Sequence, residues 1–492
     1  MSDASEVPTV QSLLAGLEER DVRIELLLAG LAERDGLIRD LKAEIDALKA
    51  KVATLEGRLK KNSQNSSKPP STDAFVKPAP KSLRRPSGKS PGKQAGEPGM
   101  RLEPVKTADV VLVHEPGRCG NCGLALSDAP LAGERSRQVF DVPPITVEVI
   151  EHRVRTRRCS CGHLTDASFP PEATASTCYG PRIQGLGAYL MDRHHLPVAR
   201  TAELLADAFG APVSTGWLAS LQLRAAKLLG PFLDAVRERV HRAPVAHFDE
   251  TGARIDGHLA WVHVACTPEL TVLHLAPGRG RESIEAGGIL GHGFNGVAVH
   301  DGLPAYRRFP VQHGLCNAHH VRELTGIAEA GGQEWAERMA GLLVEMLVAV
   351  NEAKAAGKMS LNKRTLRGYR RRYRRIIHDG IEGNPLPPPT GKRGRPAMGP
   401  VRSLLKRLET NQDDVLRFAT DFRVPWDNNE AERGVRMVKL QQKVSGCWRS
   451  PQGAQAFLAM RSYIGTARKQ GKNALDAFDD LFAGDPWLPA TP

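Results

Sequence analysis

Apolar residues near the start of the chain recur with a period of seven. Leu17, Ile24, Leu31, Ile38, Ile45, Val52 and Leu59 are so spaced, and Leu27, Leu41, Leu48 and Leu55 stand three positions further on. Ile or Val at a with Leu at d predicts a coiled coil over residues 10–61, of two parallel strands. Arg20 and Arg34 take d places and weaken its first half. The competing reading is a lone amphipathic helix lying on the body of the protein.

The pattern stops at KKNSQNSSKPPSTD. Residues 62–107 read as a basic, disordered linker: from Lys60 to Lys93 nine Lys or Arg face one acid, Asp73, among many Pro, Ser and Gly. Strand-like stretches, QVFDV and ITVEVIEHRVRT, then mark a module over 108–170. Two helical patterns follow in PVARTAELLADAFGAPVSTGWLASLQLRAAKL, with Gly210 expected to end the first and Ser214 to cap the second. Their spacing makes 171–240 helix-turn-helix-like, although any αα-hairpin has the same pattern.

From Pro244 the pattern is that of strands. PVAHFDE, HLAWVHVACT and LTVLHLA form a predicted meander with turns at Ile255–His258 and at Pro268-Glu269, and Asp249 ends the first strand. NGVAVHDG is a fourth strand ending in Asp301, and VQHGLCNAHHVREL runs from strand into helix. The class is therefore α/β with a mixed sheet over 241–445, followed by a helical region over 446–492.

Composition narrows the partners. Lys plus Arg exceed Asp plus Glu by 13 in 492 residues, which favours polyanions, nucleic acid first. MSDASEVPTV shows no basic and apolar secretion signal, and no apolar run reaches the length of a membrane span. A cytoplasmic, DNA-facing protein without membrane contact is expected. Eight cysteines in so long a chain suit a metal site better than a disulfide framework. Cys119-x2-Cys122 and Cys159-x-Cys161 look like the two knuckles of a zinc ribbon, since tetrahedral Zn²⁺ takes four soft ligands from tight turns. The second knuckle is one residue short, so His163 stands as an alternative ligand to Cys161.

Two carboxylates at the ends of neighbouring strands can share a divalent ion, and a third from a helix completes a two-metal site for in-line phosphoryl displacement. The segment PWDNNEAERGVRM offers Glu430 and Glu432 for that third place. Asp427 suits an N-cap, and Glu430 would complete a D-x-x-E capping box with it. Glu432 lies about 200° further round the helix, which leaves it free to face a metal.

HFDETG, VHDGLPAY, CNAHHVREL and PWDNNEAERGVRMVKLQQKVSGCW together resemble the DDE transposases of the insertion-sequence 66 family. The resemblance extends to the coiled coil, KNSQNSSKPPS, the paired cysteines and GTARKQGKNALDAF. It implies an RNase H-like core in which Asp249, Asp301 and Glu432 hold two Mg²⁺ or Mn²⁺ ions, with a helical insertion at about 325–420. Also implied is a DNA transposase that cuts at transposon ends and joins the 3′-hydroxyl to target DNA. It would work as a homo-oligomer through the coiled coil, with accessory element-encoded proteins as further partners. Cys316-x2-His319 matches a motif of related transposases and is expected to position strand and helix, not to bind zinc. The linker departs from the family in reading GKQAGEPG. A non-catalytic DNA-binding relative and a structure-specific nuclease with the same core are the alternatives.

Basic groups supply candidate DNA contacts. Arg367, Arg370, Arg371 and Arg374 lie along one side of a predicted helix, with Tyr369 and Tyr373 beside them. Arg393 and Arg395 belong to an AT-hook-like KRGRP, and Arg433 and Arg436 follow Glu432 on its helix. His247 and His300 are read as strand residues satisfied by the core, and Trp448 as either core or a base-stacking residue.

Overall fold

The computed structural model describes residues 10–59, 102–291, 293–386 and 398–490. Most of the basic linker, together with Arg393 and Arg395, lies outside the described residues. The heptad pattern forms one helix, α1 (Val10–Leu59). Its a residues from Leu17 to Val52 are each 41–52% exposed, so the apolar stripe stands largely open to solvent among the described residues. The described chain divides into two compact units, one containing α1 and Leu229–Lys472, the other joining residues 102–228 with Asn473–Trp487. Among the described residues no helix is long and apolar enough to cross a membrane.

In the second unit β1 (Thr156–Arg158) and β2 (Leu164–Asp166) make an antiparallel hairpin. QVFDV and most of ITVEVIEHRVRT are not strands, contrary to their alternation. Val139 and Val149 are 90% and 88% exposed, so no apolar face rewards a longer ladder. The helices α2 (Pro181–Ala188), α3 (Val198–Phe209) and α4 (Thr215–Leu228) follow. Gly210 closes α3 in the left-handed conformation, and the Ser214 hydroxyl accepts the N–H of Trp217 to cap α4. Leu205, Leu218 and Leu221 form the core of this helical pair, as amphipathic spacing requires.

Besides α1, the first unit contains α5 (Gly230–Arg242) and is organised by β3 (Val245–Ile255), β4 (His258–Cys266), β5 (Thr271–Ala276), β6 (Val297–His300) and β7 (Gln312–Leu315). The short helix α6 (Arg281–Glu285) lies between β5 and β6. The sheet order is β5-β4-β3-β6-β7, with β3, β4 and β5 antiparallel and β3, β6 and β7 parallel. Asp256 and Gly257 both have positive φ, at 48° and 76°, and Ile255 pairs with His258. This is the two-residue primed turn that matches strand twist. The hairpin therefore extends β3 to Ile255, and Asp249 sits mid-strand, not at the strand end the sequence implied.

After β7 the chain is helical: α7 (Asn317–Gly331), α8 (Glu334–Ala355), α9 (Lys363–Glu382), α10 (Pro400–Thr410) and two short turns, α11 (Gln412–Val415) and α12 (Arg417–Thr420). These helices have a core of their own, with Trp335, Met339, Leu343, Met346, Tyr373 and Leu405 buried. The chain returns to the sheet through α13 (Asn429–Ser445) and α14 (Pro451–Lys469). α14 covers the edge strand β5 with unusual chemistry: the hydroxyls of Ser462 and Thr466 accept the N–H groups of Leu273 and Thr271. An edge so occupied cannot pair with another chain. The last helix, α15 (Ala474–Phe482), packs on α2 in the second unit, so the C-terminal helical region is shared between the units.

Candidate functional site

Asp249 and Asp301 meet through strand register. β3 and β6 pair as Val245↔Val297, Ala246↔Ala298 and His247↔Val299. The same register carried two residues further sets Asp249 against Asp301, just where β6 has ended at His300. Carboxyl ends of parallel strands are where open α/β sheets bind ligands. The Asp249 carboxylate accepts the N–H of Glu250 at 2.8 Å, and that of Asp301 accepts the N–H of Leu303 at 2.9 Å, so both are oriented by the backbone that follows them.

Glu432 arrives from the first turn of α13, which packs on β3 and β4. Gly434 makes that approach possible, since a β-carbon there would stand 3.1 Å from a methyl of Val264. Burial, and then the charges of Asp301, Glu250 and Glu432, hold the Asp249 carboxyl well above the usual carboxylate range. The four acids therefore act on one another, and crowded negative charge of this kind is what a divalent cation relieves. One oxygen each from Asp249, Asp301 and Glu432 does not come within 4.8 Å of the others, among the described residues. The group that does is Cys316, His319 and Glu432.

Glu432 Oε1 lies 3.5 Å from a guanidinium nitrogen of Arg322 and 3.7 Å from Nδ1 of His319, both on α7. Burial drives the His319 pKa down to about 4, so its imidazole is neutral at pH 7 and this approach is not an ion pair. Glu430 makes no capping box: its carboxylate pairs with Arg433 at 2.7 Å and reaches Lys469 at 3.5 Å. Asp427 instead accepts the N–H groups of Asn429 in a local turn. A lysine from α14, far away in sequence, competes for Glu430, which local reading could not foresee.

Three residues escaped sequence reading. Asn428 is fully buried: its amide donates to the Phe248 carbonyl at 2.8 Å, its Oδ1 lies 3.0 Å from His247 Nδ1, and its N–H reaches the Cys316 sulfur at 3.2 Å. It ties β3, α7 and α13 together beside the acids. Glu250, next to Asp249, has a pKa of about 7, raised by burial and then by Asp301. Tyr306, buried, donates its hydroxyl to Glu250 at 2.9 Å. All three lie inside the quoted motifs, but nothing in their spacing marks a role.

The remaining candidates sort plainly. His247 and His300 are core residues, the latter 3.1 Å from His313. Trp448 is half-buried against Phe457, and its backbone bonds Arg254 and Asp256, so it belongs to the core. Of the α9 arginines, Arg370 pairs with Asp413 and Arg374 donates to Gln412, while Arg367 and Arg371 stay exposed. Tyr373 is buried and bonds the Leu408 carbonyl. Arg436 is exposed beyond Arg433. Within each knuckle the thiols lie in hydrogen-bonding contact, Cys119 with Cys122 and Cys159 with Cys161, and backbone and thiol hydrogen bonds lower the pKa of Cys119 and Cys159. Donor type and lowered pKa fit Zn²⁺, yet the two knuckles are not drawn together within ligand reach of one another.

Comparison with known proteins bears on both units. A family model described as transposase IS66 family matches residues 176–456, more than half of the chain. The zinc-finger binding domain of transposase IS66 matches residues 116–162, which include all four knuckle cysteines, and a family of unknown function matches residues 5–103. The uncharacterized protein y4jD of Sinorhizobium fredii (strain NBRC 101917 / NGR234) is 23% identical over 395 residues, covering 74% of this chain and 73% of its own. The uncharacterized protein y4hP of the same organism is 24% identical over 392 residues, 73% of this chain and 68% of its own. With the site's acids, their strand register and the paired cysteines inside the matched segments, the chain belongs to the IS66 family of transposases.

Proposed function

We propose that this transposase is of the DDE type, binds transposon ends, and catalyses Mg²⁺-dependent strand cleavage and strand transfer on an RNase H-like core. The observation that carries the reading is the register that brings Asp249 beside Asp301 where β6 stops, with Glu432 delivered from α13. The sheet order, antiparallel β3–β5 with parallel β6 and β7 on the other side, is the support for the RNase H-like assignment. The helices between α7 and α13 are then the insertion.

Asp249, Asp301 and Glu432 would hold two Mg²⁺ or Mn²⁺ ions, which supply Lewis acidity for activating water or a 3′-hydroxyl and for stabilising the leaving oxygen. Asp249 and Asp301 offer hard oxygens from adjacent strands. Asn428 fixes the start of α13, and with it the backbone that carries Glu432, relative to β3. Arg367, Arg371 and Arg436 are exposed cations for the DNA backbone. Zn²⁺ in the cysteine knuckles has a structural role, and α1 joins copies of the chain by its uncovered stripe.

A cleavage assay on DNA carrying the element's ends tests this. Mg²⁺-dependent nicking should vanish in Asp249→Asn, Asp301→Asn and Glu432→Gln, with DNA binding retained. Nicking that survives all three substitutions sinks the assignment.

A further inference from the structure

At the start of α7 the Cys316 thiol receives the N–H of Asn428. Two buried polar atoms are nonetheless left without a hydrogen-bond partner: His319 Nδ1 and Glu432 Oε1, 3.7 Å apart. With the Cys316 sulfur they form a set whose members all lie within 4.8 Å of one another. We propose that Cys316, His319 and Glu432 bind one thiophilic divalent cation, of the Zn²⁺ or Cd²⁺ class, and that this ion competes with the hard ions for Glu432.

Donor chemistry selects the ion. Thiolate and imidazole suit borderline-soft metals, whereas Mg²⁺ requires oxygen. Bonds of about 2.0–2.3 Å to a tetrahedral ion separate two ligand atoms by about 3.5 Å, close to the His319–Glu432 distance seen. Two orphaned buried atoms also call for an explanation, and an ion accepting both lone pairs supplies one. Arg322, 3.5 Å from the same Glu432 oxygen, is a tethered cation in the ion's place, and its side chain, 31% exposed, has room to swing outward. Entry is from the side of His319 and Glu432, whose side chains are 17% and 22% exposed. Cys316 loses its thiol proton to solvent as the ion binds.

The competition rests on the proposed role of Glu432; the binding does not. The test uses the full chain with Cys119, Cys122, Cys159 and Cys161 all changed to Ser, so that the knuckles contribute no sulfur. Titrated with Co²⁺, this protein should bind one ion per chain with a sulfur-to-cobalt charge-transfer band, and Zn²⁺ should displace it. Cys316→Ala should abolish the band. His319→Gln, at a less buried position and so safer for folding, should weaken binding at least tenfold. No band in the parent, or a band indifferent to both substitutions, overturns the site. Zn²⁺ loading should in turn weaken Mn²⁺ binding, followed by electron paramagnetic resonance, at least tenfold. Equal Mn²⁺ binding with and without Zn²⁺ overturns the competition, and no Mn²⁺ binding at all overturns the DDE reading while leaving the cobalt result to stand.

Discussion

Asn428 Oδ1 lies 3.0 Å from Nδ1 of His247, two residues before Asp249 on β3. The same side chain donates to the next carbonyl, that of Phe248. One buried amide thus anchors the helix that carries Glu432 to the strand that carries Asp249. Asn428→Ala leaves a buried carbonyl and an imidazole nitrogen unsatisfied, at about 1–3 kcal/mol each. Denaturant unfolding should show a loss in that range, and divalent-ion affinity should fall further than stability alone explains. Unchanged ion affinity would detach Asn428 from the site.

Much of this was legible beforehand, and the gaps have physical causes. The Asp-Gly turn, the Gly210 stop and the Ser214 cap are set by residues within a few positions of each other, so local chemistry fixes them. Asp301 stands out because the end of β6 shows in the hydrophobic pattern, whereas Asp249 lies mid-strand, and the capping box that would separate Glu432 from Glu430 does not form. The fate of Glu430 was not legible, because Lys469 reaches it from α14. Likewise nothing local reveals that Asn428 and Cys316 meet.

Gly434 tests how closely α13 must approach the sheet. A valine there meets Val264 with its first carbon at 3.1 Å, and its branches come closer still. Overpacking of this kind costs about 1–3 kcal/mol. Gly434→Val should lower the unfolding midpoint and reduce cleavage more than Gly434→Ala does. Equal, negligible effects would mean that α13 is free to shift.

Acid should destabilise the sheet unit from pH 6.5 downward. Burial lowers the pKa of His247, His263, His300 and His313, drives those of His274 and His319 to about 4, and that of His320 to about 3. His274, His319 and His320 stay neutral when folded down to about pH 4, while their unfolded forms take up a proton below about 6.5. The unfolded state then binds more protons, so stability rises with pH, by up to about 1.4 kcal/mol per pH unit for each of these three, and the other four act in the same direction. Glu250, with its folded pKa of about 7, and Asp249, also raised by burial, act the opposite way and gain stability as pH falls towards their unfolded values. The seven histidines outweigh the two acids. Unfolding free energies at pH 8, 6.5 and 5 should be level above 6.5 and fall below it; a maximum near pH 5 would contradict the buried neutral state.

The stripe on α1 should govern assembly. Leu31 and Ile38 are 45% and 41% exposed, among the less exposed of the a residues, and both remain open to solvent among the described residues. Charges at a places oppose strand pairing. Leu31→Lys with Ile38→Lys should lower the molar mass by light scattering to that of one chain, with helix content reduced and the sheet unit still folded. A mass unmoved by both lysines would place the oligomer contact elsewhere.

The α9 arginines separate into two kinds that DNA binding should tell apart. Arg371 is exposed and has no ion pair among the described residues, whereas Arg370 spends its charge on Asp413 at 2.9 Å. A cation that meets a phosphate releases counterions, and removing it flattens the plot of log affinity against log salt by about 0.9. Arg371→Gln should show that change uniformly across DNA sequences, since a backbone contact reads no base. Arg370→Gln should leave the slope alone and cost stability instead, at most about 1 kcal/mol for so exposed a pair. If both substitutions flatten the slope equally, the Asp413 pair opens when DNA binds. If neither does, the phosphates lie along other cations and α9 is a solvated face.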